Sequence, residues 1–321
     1  MNFSSYILGC GSYVPKRILT NNDLSKKMNT SDEWIYTRTG IKQRHIANNN
    51  QLNSDLGFEA AKNAIKNSKI KLSDIDLIIV ATSTPDHTFP STATKIQAKL
   101  GIKKGFAFDI QAACSGFIYA MSVADNFITN MQASNALVIG SEVFSRIIDW
   151  KDRSTSVLFG DGAGAIILSK SKKKINSGII STELYSDGRL YDLLYVNGGV
   201  ASNQKAGHIK MKGKEVFKHA VQKLVGCIQI NLKKNKLNKN DIDWIIPHQA
   251  NKRIMDLTAN KLGIPNNKVL MTVDKYANTS SASIPLTLDD ALSKKLIKRG
   301  QIIVFEAIGG GLTWGCSILK Y

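Results

Sequence analysis

The chain repeats itself once. Residues 71–80 (KLSDIDLIIV) and 236–246 (KLNKNDIDWII) each set a polar turn and Asp-Ile-Asp before a short apolar run of the kind a buried strand needs. Each is followed by a helix-like segment that closes on a glycine stop, KIQAKLGI at 95–102 and DLTANKLGI at 256–264. Further on, FAFDI (106–110) corresponds to VLMTV (269–273), and ALVIGSE (136–142) to IIVFEAIGG (302–310). Glycine-rich turns then lead into GAIIL (164–168) and GCSIL (315–319), with the offset staying at about 165 residues. One repeat of that length is a duplicated domain, not a solenoid. Apolar runs alternating with helical patterns indicate βαβ units and mostly parallel sheets covered on both faces. We therefore expect an α/β fold of two similar halves, 1–170 and 171–321, packed into one body with the active site where they meet. The stretch 169–177, SKSKKKINS, reads as a polar turn between the halves and not as a flexible tether.

Composition narrows the function classes. With 43% hydrophobic residues spread over 321 positions, the chain can bury a large core, which excludes disordered and low-complexity classes. No run of 18 apolar residues predicts a transmembrane helix, and the start, MNFSSYILGCGSYVP, has neither a secretory nor a transit pattern. The four cysteines (10, 114, 227 and 316) form no CxxC pair, which argues against a disulfide scaffold or zinc cluster and for a reducing compartment. The expectation is a soluble cytoplasmic protein that needs no membrane. Lys and Arg number 43 against 25 Asp and Glu, a formal net charge of +18. That excess invites a nucleic-acid reading, but the lysines are scattered in short clusters such as 103–104, 172–174, 233–234 and 294–295. No helix-turn-helix, metal-ligand or RNA-recognition pattern accompanies them. An acidic protein or a phosphate-bearing partner uses the charge better, and we expect no nucleic-acid partner.

Three residues stand out by position. Cys114 lies where the strand-like FAFDI gives way to a helical pattern carrying Phe117, Ile118, Met121 and Ala124. A thiol at a helix start meets unpaired N–H groups and the positive end of the helix dipole, which lower its pKa. The small flanks Ala112, Ala113 and Gly116 leave room for a carbonyl to approach. A cysteine is more often a small buried hydrophobe, the reading that suits Cys10, Cys227 and Cys316. His248, in PHQAN at the end of the second Asp-Ile-Asp strand, sits where α/β proteins place site residues. Asn278, in YANTSSASIP, falls at nearly the place in the second half that Cys114 holds in the first. A lone His or a loop Asn is commonly structural. The tail AIGGGLTWG (307–315) reads as a tight turn whose backbone N–H groups could hold an oxyanion. GDGAG (160–164) lacks the dinucleotide fingerprint and reads as a structural turn.

In TSDEWIYTRTGI (30–41), AACSGF (112–117), LFGDGAGA (158–165), PHQANKRI (247–254), YANTSSASIP (276–285) and GGGLTWG (309–315), the sequence resembles the β-ketoacyl-acyl-carrier-protein synthase III family of thiolase-like condensing enzymes. The motifs span nearly the whole chain in family order. The resemblance implies a five-layer α-β-α-β-α fold and a homodimer. It implies an initiating acyltransferase of fatty-acid synthesis, which condenses a short acyl-CoA, expected to be acetyl-CoA, with malonyl-acyl carrier protein and releases carbon dioxide. Cys114 would be acylated, and His248 and Asn278 would donate hydrogen bonds to the malonyl thioester oxygen. The backbone N–H groups of Cys114 and Gly310 would form an oxyanion hole.

The same resemblance assigns Trp34 and Arg153 to a sandwich around the CoA adenine, with Thr30 and Arg38 nearby and Gly213 and Asn251 along the pantetheine tunnel. Lys214, Lys252 and Arg253 would dock the acidic carrier protein, and Phe89 would reach across the dimer to close an acyl pocket that Ile308 helps to shape. Two positions depart from the family pattern: Ile308, where many relatives have Phe, and Lys214, where many have Asn. No metal or prosthetic cofactor is implied, acyl-CoA being a substrate. A related condensation, such as starter loading in secondary metabolism, would use the same three residues.

Overall fold

The computed structural model describes residues 5–170 and 177–321. The lysines at 172–174 and most of the expected turn at 169–177 lie outside the described residues.

Two mixed sheets organise the chain. The first takes its strands from the N-terminal half: β1 (Ser5–Tyr13), β2 (Leu77–Ala81), β3 (Phe106–Ile110), β4 (Asn135–Val143) and β5 (Asp161–Lys170). Its order is β3-β2-β4-β5-β1, with β2 parallel to β3 and β4, and β5 antiparallel to β4 and β1. The second sheet has β6 (Gly178–Ser186), β7 (Trp244–Pro247), β8 (Ile302–Gly309) and β9 (Thr313–Lys320) in the order β7-β8-β9-β6. Here β7 and β8 are parallel, and β9 is antiparallel to both β8 and β6. Four strands of one sheet thus match four of the other in place and direction. The expectation of mostly parallel sheets is corrected: each half closes with an antiparallel pair, because the chain doubles back beside its last parallel strand instead of crossing over through a helix.

The Asp-Ile-Asp turns do the same work twice. Ile75 and Ile242 are buried, while Asp76 accepts the N–H of Ser134 and Asn135 and Asp243 accepts that of Ile302, pinning the start of the neighbouring strand. The helix stops agree as well. α3 (Thr92–Leu100) ends on Gly101 at φ 72°, and α6 (Lys252–Leu262) on Gly263 at φ 66°, left-handed backbone that favours glycine. VLMTV is not a strand. Only Val269 bridges β7, and the side chain of Gln249 accepts the N–H groups of Thr272 and Val273 that a strand would need. GDGAG is likewise not a turn but runs into β5, where α7 (Ser283–Ser293) lies so close that a Cβ on Gly164 would stand 2.7 Å from Pro285 Cβ.

The layers follow from these contacts. α2 (Asn53–Ser68) and α3 cover the outer face of the first sheet, and α5 (Gly213–Lys234) with α6 covers the outer face of the second. Between the sheets run α7 and α4 (Gly116–Thr129), apolar on most sides because each faces two sheets. Phe117, Ile118, Met121 and Ala124 are all fully buried there, as their spacing predicted. This is the α-β-α-β-α arrangement. Among the described residues no helix is long and apolar enough to cross a membrane.

Candidate active site

Cys114 occupies a one-turn 3-10 segment, Ala113–Ser115, between β3 and α4. Ala113 takes a positive φ of 46°, a strained left-handed backbone for a side chain, which swings the thiol toward the interior. The turn is clamped from the second half. Thr313 Oγ1 lies 2.8 Å from Ser115 Oγ and donates to the Ala112 carbonyl at 3.1 Å. A Cβ on Gly309 would be 2.6 Å from the Cys114 nitrogen, so the glycine turn after β8 packs its bare backbone on the Cys114 loop. The expected low thiol pKa is not found. With 5% of its surface exposed, Cys114 is pushed up to about 12 by burial; the nearby Ser280 hydroxyl pulls it down and the Glu142 carboxyl adds to the rise. Desolvation outweighs the helix start.

His248 leaves β7 and donates its N–H to the Glu306 carbonyl of β8 at 2.7 Å. Burial lowers its ring to about 3, against a small opposing effect of the Ser280 backbone. The imidazole is therefore neutral near pH 7, and its Nδ1 is buried without a hydrogen-bond partner among the described residues. Asn278 follows Ala277, another positive φ at 57°. Its backbone is fixed by an N–H donated to Leu158 and a carbonyl that accepts from Gly160, and its Oδ1 accepts the Ser280 N–H at 2.8 Å. That bond commits the amide oxygen and leaves the Nδ2 hydrogens as the free donors.

Ser280 joins two of the three: its N–H holds Asn278, and its turn, Ser280–Ala282, packs on the turn that carries Cys114. The sequence reading passed over it as one serine among several in YANTSSASIP. Two buried acids were also missed. Glu142 is pushed up to about 7 by burial, although Thr82, Thr84, Ser281 and the Ser83 N–H all donate to it. Glu306, raised to about 8 by burial alone, has Oε2 without a hydrogen-bond partner among the described residues. Nothing local marks either as buried.

The remaining candidates form a second group. In α1 (Asp32–Thr39), Trp34 carries the guanidinium of Arg38 at 4.6 Å and that of Arg153 at 4.5 Å from its ring centroid. Arg153 also donates to the Asn29 carbonyl at 2.7 Å. The two halves of the expected sandwich thus lie on each other, and a base can enter only by displacing a guanidinium. Thr30 Oγ1 is buried, without a hydrogen-bond partner among the described residues. Asn251 caps α6 by accepting the Ile254 N–H at 3.0 Å. Lys252 and Arg253 are exposed in the first turn of α6. Lys252 pairs with Asp256, and its Cβ would be 2.7 Å from a Cβ on Gly40, which caps α1. Arg253 lies 5.5 Å over the ring of Phe217 in α5, the helix that begins with exposed Gly213 and Lys214. Contacts therefore link the end of α1 to Lys252 and, through Arg253 on Phe217, the start of α6 to α5.

A cavity of about 1090 Å³ reaches Cys114 on the side of Phe89, lined also by Phe144, Ile147, Phe159 and Leu194. The loop after β6 forms one wall through Tyr191, Tyr195 and Val196. Phe89 stands 83% exposed at this cavity. Ile308 does not line it. Ile308 packs instead with Leu193, Leu224, Ile254 and Leu312 under α5 and α6, because alternation along β8 sends Ala307 and not Ile308 toward the central helices.

Comparison with known proteins follows the same outline. Residues 108–188 match the family model for 3-oxoacyl-[acyl-carrier-protein] synthase III, and residues 232–321 the model for its C-terminal part. The chain is 56% identical over 319 residues to the β-ketoacyl-[acyl-carrier-protein] synthase III of Paramagnetospirillum magneticum, covering 98% of each chain. The crystal structure of 3-oxoacyl-[acyl-carrier-protein] synthase III from Aquifex aeolicus superposes with a TM-score of 0.94 at 47% identity, over 99% of this chain and 100% of that one. The priming β-ketosynthase of the R1128 polyketide pathway superposes at 0.93 with 32% identity, over 98% and 96%.

Proposed function

The chain belongs to the 3-oxoacyl-acyl-carrier-protein synthase III family of condensing acyltransferases, the enzymes that start fatty-acid synthesis, and we propose that Cys114, His248 and Asn278 carry that condensation here. The observation that supports this most is that the buried turns Ala113–Ser115 and Ser280–Ala282 pack on each other while the Ser280 N–H orients the Asn278 amide, with a buried, neutral His248 at the end of β7.

In the first step the Cys114 sulfur attacks the thioester of a short acyl-CoA, with acetyl-CoA as the expected donor. The bond to the CoA sulfur breaks, and the thiol proton ends on the departing CoA thiol. A thiol held near 12 is protonated at rest, so attack and proton loss are coupled. The N–H groups of Cys114 and Gly310 would hold the transient oxyanion. Malonyl-acyl carrier protein enters next. Loss of carbon dioxide places negative charge on its thioester oxygen, where the His248 N–H and the Asn278 Nδ2 donate. Neutral donors suit this task, since they need not give up a proton, and burial keeps His248 neutral. The enolate carbon attacks the acyl group, the C–S bond to Cys114 breaks, and a 3-oxoacyl-acyl carrier protein leaves. The sequence balances with side chains, substrates and one proton that the released Cys114 thiolate takes from water, without a metal or prosthetic group.

Trp34, with Arg38, Arg153 and Thr30, would take the CoA nucleotide, Arg153 yielding its place on the indole to the base. Gly213 and Asn251 would flank the pantetheine, and Lys214, Lys252 and Arg253 would attract the acidic carrier protein. A homodimer is supported by β3, an edge strand whose Phe106 and Phe108 join Phe127 in an aromatic cluster, and by exposed Phe89 at the mouth of the acyl cavity. The likeness to a polyketide priming enzyme keeps a second reading open, starter loading with the same three residues. Comparing malonyl-carrier protein with malonyl-CoA as donor separates the two.

The direct test is intact-protein mass spectrometry after mixing with acetyl-CoA. One acetyl adduct, mapped to Cys114 and absent from Cys114→Ala, is expected; no adduct with any short acyl-CoA would sink the proposal.

A further inference from the structure

Away from Cys114, behind the second sheet, two cysteines meet. Cys227 of α5 and Cys316 of β9 are 2% and 0% exposed, both are free thiols, and their sulfurs lie 3.0 Å apart. A disulfide needs only about 2.05 Å, a closure of roughly one ångström. Asn231, one turn after Cys227, donates its Nδ2 to Cys316 Sγ at 3.3 Å, and its Oδ1 is held by Ser181 and by Asn235. The amide is thus locked with its donor aimed at sulfur. A second cavity, of about 410 Å³, reaches Cys227 between Tyr185, His219, Lys223 and Trp314. Beside it, a Cβ on Gly226 would meet nothing within 4 Å. A small molecule entering that cavity meets Cys227, the Cys316 sulfur lies in contact with the Cys227 sulfur, and the condensation proposed above uses neither.

We propose that Cys227 and Cys316 are a peroxide-responsive dithiol that closes to a disulfide between α5 and β9. The oxidant is a hydroperoxide, hydrogen peroxide being the simplest. The Cys227 sulfur attacks one peroxide oxygen, an S–O bond forms as the O–O bond breaks, and the leaving oxygen departs as water with the thiol proton. The Cys316 sulfur then attacks the sulfenic sulfur, the S–S bond forms, the S–O bond breaks, and a second water carries off the Cys316 proton. Two thiols are oxidised, one peroxide is reduced to two waters, and a dithiol reductant reverses the change. The Cys316 contact and then burial push the Cys227 thiol up, which keeps the thiolate scarce and makes the attack on peroxide slow. Cys316 follows by three residues Thr313, whose hydroxyl braces the Cys114 turn, so the bond would tie that brace to the helix beginning at Gly213 and Lys214.

The test treats the full-length protein, as wild type and as Cys114→Ala, with hydrogen peroxide, followed by intact mass and non-reducing peptide mapping. Expected are loss of the mass of two hydrogens, a linked Cys227–Cys316 peptide in both proteins, and a melting midpoint raised by about 5 °C that dithiothreitol reverses. Cys227→Ala and Cys316→Ala, each checked by its reduced melting curve to be folded, should separately abolish the linked peptide. Persistence of both thiols, a linked peptide joining any other pair, or a sulfinic acid on Cys227 without the link would overturn the proposal.

Discussion

The turn Ala113–Ser115 and the turn Ser280–Ala282 both open on a positive φ, 46° and 50°, and each feeds one of the two central helices, α4 or α7. Their middle residues are Cys114 and Ser281. The first presents a thiol at the end of a cavity. The second is closed: the single Ser281 hydroxyl proton is shared between the Ala81 carbonyl at 2.8 Å and buried Glu142 at 3.0 Å. Asn278, which the repeat placed nearly opposite Cys114, lies three residues before that position. The duplication thus supplied one strained turn twice. One copy keeps an unengaged nucleophile, and the other became an anchor between the halves, with its polar site residues moved into the approach loop.

If the turn alone made the nucleophile, transferring the thiol would transfer the chemistry. We expect it does not: Cys114→Ala with Ser281→Cys should show no acyl adduct by intact mass, because position 281 is 1% exposed and faces Ala81 and Glu142 instead of the cavity. Asn278→Ala and His248→Ala remove donors from the approach loops and leave the first turn intact. Each should lower kcat for condensation on the order of 10²–10³-fold while the acyl-Cys114 adduct still forms, measured by product release and by mass on the same samples.

Ser281→Ala tests the anchor. Leaving the Glu142 carboxyl with one donor fewer should cost about 1–3 kcal/mol in urea unfolding, with little change in acylation of the protein that remains folded. The buried acids and His248 should oppose each other in pH. A carboxyl raised to about 8, as Glu306 is, takes up protons on folding, so its stabilising effect is full below pH 4.5 and is lost as pH rises through 8. His248, depressed to about 3, costs stability as pH falls from 6.5 toward 3. Between pH 5 and 8, Glu306→Gln should flatten the alkaline decline by up to about 1.4 kcal/mol per pH unit, read from denaturation midpoints; an unchanged slope would place the ionisation elsewhere.

Much of this was legible because it is written in local patterns. The Asp-Ile-Asp turns, the glycine stops at 101 and 263, and the apolar spacing after Cys114 each depend on a few neighbouring residues. VLMTV misled because its backbone donors are taken by Gln249, some twenty residues earlier. The role of Ser280 was invisible because the Cys114 turn that packs on its own turn is distant in sequence. The thiol of Cys114 was expected low from its helix start and found high, since burial is a property of the whole packing and not of the motif.

The sequence by itself determined the duplication, the places of Cys114, His248 and Asn278 at loop starts, and the family they resemble, because side-chain period, capping and motif order are local quantities. Only the tertiary structure decided which of two similar turns stays open, that Arg153 lies on Trp34, that Ile308 faces away from the cavity, and that Glu142 and Glu306 are buried. Desolvation and contact depend on what the rest of the chain brings to each residue, and no short stretch of sequence carries that information.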